Sequence, residues 1–442
     1  MNISQLRQLM GIIARSDVSP RGNGDKESSF GGLVRTRGAV SNRWSEFLAS
    51  RGRASDIDYR LLVPLVLYST TVQTIYAIVR VTTSYRAIEL NLPVVWLGVI
   101  SATFAVPPTL LAVWVGRLLD RGYDAQAAWI GSGIFVVVCA GFCFFANSLA
   151  ALLLLTALFG VGHLFLMASQ QMLCIRSAGP RGRDSAFGNY VVGSAVGQGI
   201  GPYLVAWLGG PATVPPTGRL FGVALIVAVI SLATAAAIRP APKHMQPAKS
   251  GEIVPLRTLL RQSGLMAVLI ASVITITSQD LLTIYLPLLG TEQNIDVRNV
   301  GALLTARSVA SLVSRLSYTR VLRLIERQKL TLITMAGAGL GFACFAIPIP
   351  LAAMYAAMTF LGFCLGIATT LSLTNVVDLA SAAAMGTVMS LRITGNRLGQ
   401  AAVPFMASLI AAATGVAGIF AIIAAALVAS GASVHLSRQE RG

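Results

Sequence analysis

The sequence predicts an all-α integral membrane protein with twelve membrane-spanning helices in two pseudo-symmetric six-helix bundles. Three observations support this prediction. Only 12% of the 442 residues are charged and 55% are hydrophobic, whereas a soluble domain carries about 25% charged residues. Apolar runs of about 20 residues, the length that crosses a bilayer, recur from residue 61 onward. A basic, proline-containing stretch at 239–262 divides these runs six and six.

The apolar runs place each helix in order, with less uniform hydrophobicity in the second and eighth. The predicted spans are 61–84, 93–115, 127–146, 149–173, 186–208, 219–238, 263–289, 298–316, 330–348, 351–374, 387–411 and 414–435.

The distribution of the basic residues behind the net charge of +17 is typical of membrane topology rather than of a nucleic-acid-binding surface. Ten of the 34 Lys and Arg residues lie in the first 60 positions. The gaps after even-numbered helices and the C-terminal tail carry seventeen more, and the gaps after odd-numbered helices carry three. Because basic residues accumulate on the cytoplasmic side, we expect both termini to be cytoplasmic in a cytoplasmic (inner) membrane. No nucleic-acid partner is predicted.

The same pattern divides the chain into five segments. Residues 1–60 are polar and are interpreted as a flexible cytoplasmic tail, with contact to anionic lipid as the functional alternative. The N-terminal bundle is predicted at 61–238, the cytoplasmic linker at 239–262, the C-terminal bundle at 263–435 and a short tail at 436–442.

A helix-packing motif recurs in the two halves with a constant offset of 202 residues. Small residues four apart let membrane helices approach closely, and a following proline kinks them. The motif residues are Gly193, Gly197, Gly201 and Pro202 on helix 5, and Gly395, Gly399 and Pro404 on helix 11. The repeat favours a transporter built from parallel repeats with a site near the midplane.

These features together resemble the major facilitator superfamily, over roughly residues 61–435. The loop after helix 2, with Gly116, Asp120 and Arg121, is similar to a gating loop of that family. The resemblance implies that Asp120 pairs with a helix end and that Arg121 reinforces this contact. The loop departs from the family pattern at Asp124 and Ala125, where a basic pair is usual.

Helix 5 is similar to the antiporter motif of bacterial exporters in this superfamily. The resemblance therefore implies a secondary transporter that exports its substrate in exchange for protons. Thr156 stands where exporters carry a coupling arginine, so that residue's role does not transfer. Monomeric state is expected from the resemblance, and no cofactor is implied.

Ionisable side chains inside predicted helices are the candidate functional residues, because each is costly in a membrane. Asp280 is the candidate proton carrier, and His163 a candidate relay. A static ion pair of Asp280 with Arg307 or Arg80 is the alternative. The candidate substrate-binding residues are Arg80, Arg307, Arg392, Arg397, Gln198 and Tyr76.

The excess of arginine over acid predicts a positive cavity and a small organic, anionic substrate. Uptake of a carboxylate with protons is the alternative direction, and a receptor or an integral-membrane enzyme is the alternative class. The sequence contains no phosphate-binding loop, no Cys/His metal cluster and no nucleophile motif, so we predict neither an enzyme nor a metal site.

Overall fold

The computed structural model describes residues 57–179, 182–238, 264–379 and 385–439. Most of the predicted N-terminal tail, the whole linker 239–262 and residues 440–442 lie outside these ranges. The described residues form eleven helices, the last of which is broken at Gly415, where φ is +74°. We number its two segments separately, as α11 and α12.

The helices, in chain order, begin and end close to the predicted spans. They are α1 (Tyr59–Glu89), α2 (Val95–Asp120), α3 (Asp124–Phe145), α4 (Leu149–Arg176), α5 (Arg183–Gly209), α6 (Thr217–Ala237), α7 (Leu265–Glu292), α8 (Val297–Leu324), α9 (Arg327–Cys344), α10 (Leu351–Leu379), α11 (385–414) and α12 (416–439).

The described helices confirm the predicted all-α membrane class. By length and composition nine of them could cross a membrane when the last is counted whole. Helix α8 falls short of that criterion because polar and basic residues interrupt it. Helix α9 falls short because it has only 18 residues and begins with Arg327, Gln328 and Lys329. Helix α12 continues to Gln439, three residues past the predicted start of the C-terminal tail at 436, and the limits of that tail stay a prediction.

Short-range signals set several helix ends. The side chains of Asp58, Ser148 and Asp296 accept hydrogen bonds from the first turns of α1, α4 and α8, which satisfies otherwise unpaired N–H groups. At the far end of α1, Arg86 donates to the carbonyl of Ala146 over 2.7 Å. This bond ties α1 to the α3–α4 connection.

The packing of helices repeats from one half to the other. Helix α1 packs on α5 as α7 packs on α11, and α2 packs on α4 as α8 packs on α10. Between the halves, α2 contacts α11, α5 contacts α8 and α1 contacts α7. The limits of the two predicted bundles stay a prediction, because the linker lies outside the described ranges.

Alternating helix direction gives the bundle two faces. We call the face where α1 begins and α12 ends the terminal face, and the other the opposite face. Contacts between the halves are close near the opposite face: a Cβ at Gly98 would overlap the carbonyl oxygen of Pro404. There too, the Val297 N–H donates to the Ala212 carbonyl over 2.9 Å.

Candidate functional site

A hydrogen-bonded cluster in the middle of the bundle joins α1, α7 and α11. The Tyr76 hydroxyl donates to Asp280 Oδ1 over 3.2 Å, and Gln400 Nε2 donates to Asp280 Oδ2 over 2.8 Å. Arg397 donates to Gln400 Oε1 over 3.3 Å. The carboxylate is therefore held by two neutral donors, and the arginine reaches it only through Gln400.

The repeated glycines position the helices that carry this cluster. Gly197 lies against the carbonyl of Thr70, so that α5 touches the backbone of α1. Gly193 and Gly201 also face α1, while Gly399 and, at longer range, Gly395 face Val273 on α7. A side chain at Gly193, Gly197 or Gly201 would push α1 away from α5, and one at Gly399 would push α7 away from α11. A Cβ at Gly395 would make only ordinary contact. Pro202 and Pro404 lie inside α5 and α11.

An aromatic layer packs beside the cluster and shares Tyr76 with it. It consists of Tyr76, Phe104 and His163. The rings of Tyr76 and His163 stack with centroids 4.7 Å apart, and Phe104 lies 5.7 Å from Tyr76 and 5.5 Å from His163. Both ring nitrogens of His163 are buried and have no hydrogen-bond partner within the described part of the chain. Its contacts are those of a packing residue.

The candidate arginines contact neutral groups rather than acids. Arg80 donates to Ser101 Oγ over 3.1 Å, Arg307 to Ser308 Oγ over 3.4 Å and Arg392 to Ser372 Oγ over 3.1 Å. The described residues contain four ion pairs, and Asp280 takes part in none of them. In this structure, therefore, Asp280 forms no ion pair with Arg307 or Arg80 within 4.0 Å.

Gln198 lies at the junction of the two halves. Its side chain donates to Gln73 Oε1 over 3.4 Å, and its backbone carbonyl accepts from Ser308 Oγ over 3.2 Å. The second bond joins α5 to α8. Gln198 thus lies between α1 and α8, rather than in the cluster around Asp280.

At the terminal face, the contacts of the predicted gating loop differ from those that the family resemblance implies. Asp120 and Arg121 are exposed, and neither side chain has a hydrogen-bond or ion-pair partner among the described residues. Asp124 departs from the family pattern. Its carboxylate pairs with Arg176 Nη1 over 2.8 Å, and the residue is 2% exposed. The pair fastens the start of α3 to the end of α4. A Cβ at Gly116 would meet no atom within 4 Å.

A second ion pair joins the corresponding ends in the other half, with the charges exchanged. Arg327 begins α9 and binds Asp378 near the end of α10. Its positions follow Asp124 and Arg176 by 203 and 202 residues, close to the offset of the glycine repeat. This pair is more exposed, with side-chain exposures of 34% and 42%.

Sequence reasoning missed Gln400 and the polar stripe on α4 to which the candidate relay His163 belongs. Gln400 follows Arg397 by three residues, which puts the two side chains on one face of a helix, and this spacing could have identified it. Thr156, His163 and Gln170 recur at intervals of seven on α4, and all three are buried with polar atoms that lack partners in the described ranges. A polar stripe of this kind was visible in the sequence.

Comparisons with known proteins agree with this architecture. The family description "Major Facilitator Superfamily" matches residues 65–404 and 268–441. A comparison with curated protein sequences gives no match.

Solved structures with the same fold include three transporters. The nucleoside transporter NupG superposes with a TM-score of 0.71 at 11% identity, over 86% of this chain and 99% of its own. A bacterial homologue of the human lysosomal transporter Spinster, in an inward-facing and occupied conformation, gives 0.68 at 14%, over 86% and 96%. A D-xylose–proton symporter gives 0.70 at 11%, over 85% and 97%. At these identities the likeness concerns the fold. With the family match spanning most of its length, this chain belongs to the Major Facilitator Superfamily and is a multi-pass membrane protein of the secondary-transporter type.

Proposed function

We propose that the protein exports a small organic anion in exchange for protons, and that Asp280 carries the proton. The observation behind the proposal is the position of this carboxylate. Among the described residues it is the one acid more than four positions from a helix end, and neutral side chains hold it. A carboxylate without a fixed cation can take up a proton without breaking an ion pair.

The coupling would act through the bond between the halves. Tyr76 belongs to α1 and Asp280 to α7, so their hydrogen bond spans the two halves. Hydrogen bonds to an ionised acceptor are roughly twice as strong as neutral ones. Protonation of Asp280 would weaken this bond and favour rearrangement of α1 against α7, which is the motion that alternating access requires.

The charges support an anionic substrate. Arg80, Arg307 and Arg397 all lie inside the bundle without an acid within 4.0 Å in the described ranges. A guanidinium presents a fork of donors that fits a carboxylate. An anion entering the cavity would supply the charge that these side chains lack.

The topology of the proposal comes from the basic residues. With the termini in the cytoplasm, the terminal face is cytoplasmic and the closely packed opposite face is external. The structure would then correspond to an inward-facing state of a monomer in the cytoplasmic membrane. Export is supported by the helix-5 motif, and a symporter of the same fold makes proton-coupled uptake the competing direction.

The test is proton and substrate flux in liposomes containing the purified protein. An imposed pH gradient should drive a pool of small organic anions against their own gradient, and Asp280→Asn should abolish proton movement. Glu292→Gln is the matched control, because it removes an exposed acid at the end of the same helix. Anion flux without proton movement in the wild type would refute proton coupling. Movement of the anion in the same direction as the protons would show proton-coupled uptake instead of export. No flux of any pool would favour a receptor or enzyme.

A further inference from the structure

A small cavity lies between α1, α2, α4 and α7, in the part of the bundle nearer the opposite face. Arg80 and Ile284 line it from the later parts of α1 and α7, and Ser101 and Thr156 line it from the earlier parts of α2 and α4. Its volume is about 20 Å³, whereas one water molecule needs roughly 10–15 Å³. The cavity therefore has room for one water-sized species and excludes organic molecules.

Arg80 brings a positive charge to this lining, and none of the other residues that line the cavity is acidic. The residue is 7% exposed, and its guanidinium carbon lies 4.8 Å from the centroid of the Phe104 ring. In the described ranges no acid lies within 4.0 Å of the guanidinium. Because burial of an unpaired charge is costly, Arg80 needs a counter-charge from outside the described residues.

Three polar groups of the lining have unused capacity to donate hydrogen bonds. Arg80 Nε has no partner in the described part of the protein. Thr156 is 4% exposed, and its hydroxyl likewise lacks a partner there. Ser101 Oγ accepts from Arg80 Nη2 over 3.1 Å and retains its own proton for donation. Thr83 and Ser84, by contrast, donate their protons to carbonyls of α1. The available groups are donors beside a cation, which is the chemistry that binds an anion.

We propose that this cavity binds a chloride ion, which accepts hydrogen bonds from Arg80 Nε and from the hydroxyls of Thr156 and Ser101. The volume restricts the ligand to a monatomic anion, and one chloride neutralises one guanidinium. An ion that binds only the folded protein also stabilises it. The proposal goes beyond the proposed function and does not depend on it, because chloride binding requires no transport and leaves Arg307 and Arg397 for the organic anion.

Equilibrium binding tests the site directly, with radiolabelled chloride as the probe and full-length purified protein in detergent. The buffer contains gluconate at constant ionic strength, because gluconate is too large for the cavity. We expect saturable chloride binding that bromide displaces. Arg80→Gln should weaken this binding at least about tenfold because a charge-assisted bond is lost, and Arg80→Lys should retain part of the affinity. Arg219→Gln is the control, since it removes an exposed arginine on α6 and should leave chloride binding unchanged.

Thr156→Val separates a chloride site from a purely structural hydroxyl. In gluconate the variant should melt no lower than wild type, because it removes a buried hydroxyl without a partner in the described ranges. Its chloride affinity should nevertheless fall several-fold, as should that of Ser101→Ala. These two variants carry the test if Arg80→Gln is not monodisperse on gel filtration.

Two results would overturn the proposal. The first is wild-type protein without saturable chloride binding, which would leave a single water molecule as the occupant. The second is wild-type chloride affinity in folded Arg80→Gln, or in both hydroxyl variants, which would place the ion at another site.

Discussion

Replacing Arg176 by glutamine should destabilise the protein far more than any other change in the two terminal-face ion pairs. Asp124 has a side-chain exposure of 3%, and its second oxygen, Oδ1, has no hydrogen-bond partner in the described ranges. Removing Arg176 leaves this carboxylate buried without a cation, at a cost of about 3–5 kcal/mol. Asp124→Asn should cost less, about 1–2 kcal/mol, because Arg176 is 13% exposed and keeps its bond to the Leu119 carbonyl.

The second pair provides the matched comparison. Arg327 and Asp378 are about one-third and two-fifths exposed, so breaking their contact should cost about 0–1 kcal/mol. Exchanging the charges by Asp124→Arg with Arg176→Asp copies the order found in the other half and should recover part of the loss. Thermal unfolding of purified variants in one detergent measures the series. Equal losses for Arg176→Gln and Asp378→Asn, or a stable Arg176→Gln, would refute the reasoning from burial.

Three other substitutions test the architecture and the coupling. Tyr76→Phe removes the hydrogen bond between the halves but keeps the ring. Proton-coupled flux in liposomes should therefore fall several-fold but stay above the flux of Asp280→Asn. Unchanged flux would exclude a coupling role for this bond. Gly301→Ala should lower the melting temperature, because a Cβ there would lie 2.7 Å from the α5 backbone. Gly222→Ala is the control and should leave the melting temperature unchanged, because a Cβ there would meet no atom within 4 Å. Equal melting temperatures would show that α5 and α8 can move apart without loss of stability. Gly415→Ala forces a side chain into a backbone conformation, φ +74° and ψ −179°, that is almost restricted to glycine, and it should cost about 1–3 kcal/mol. The same unfolding assay measures this loss, and a stabilised variant would contradict the observed break between α11 and α12.

Hydrophobic length predicted the helices well because the bilayer itself sets that length. The start of α4 and of α10 agree with the prediction to the residue, at Leu149 and Leu351. The prediction ended α8 at 316, whereas the helix continues to Leu324. Hydropathy marks where apolar character stops, and backbone hydrogen bonding continues past it into polar sequence.

Side-chain partners were less predictable, because they depend on how each helix rotates about its axis. The sequence identified Asp280 as a candidate proton carrier, with an arginine ion pair as the alternative, but it did not identify Gln400 on another helix as a hydrogen-bond donor to this carboxylate. Asp124 stands where the family pattern has a basic residue, and the sequence did not show that this carboxylate is buried beside Arg176 in an ion pair. Spacing along one helix could not show which distant helix each side chain faces.

The polar character of α8 bears on how the protein is assembled. A central arginine costs about 2.5–3.5 kcal/mol on insertion scales, and this helix carries both Arg307 and Arg315 between polar serines. Its neighbours α5 and α10 cover it in the finished bundle, with Gly362 allowing α10 to reach the backbone at Arg307. Helix α10 is synthesised after α8, so one of the two neighbours that cover α8 does not yet exist when α8 is made. We therefore expect stable insertion of α8 to depend on packing against its neighbours, because its own hydrophobicity is low.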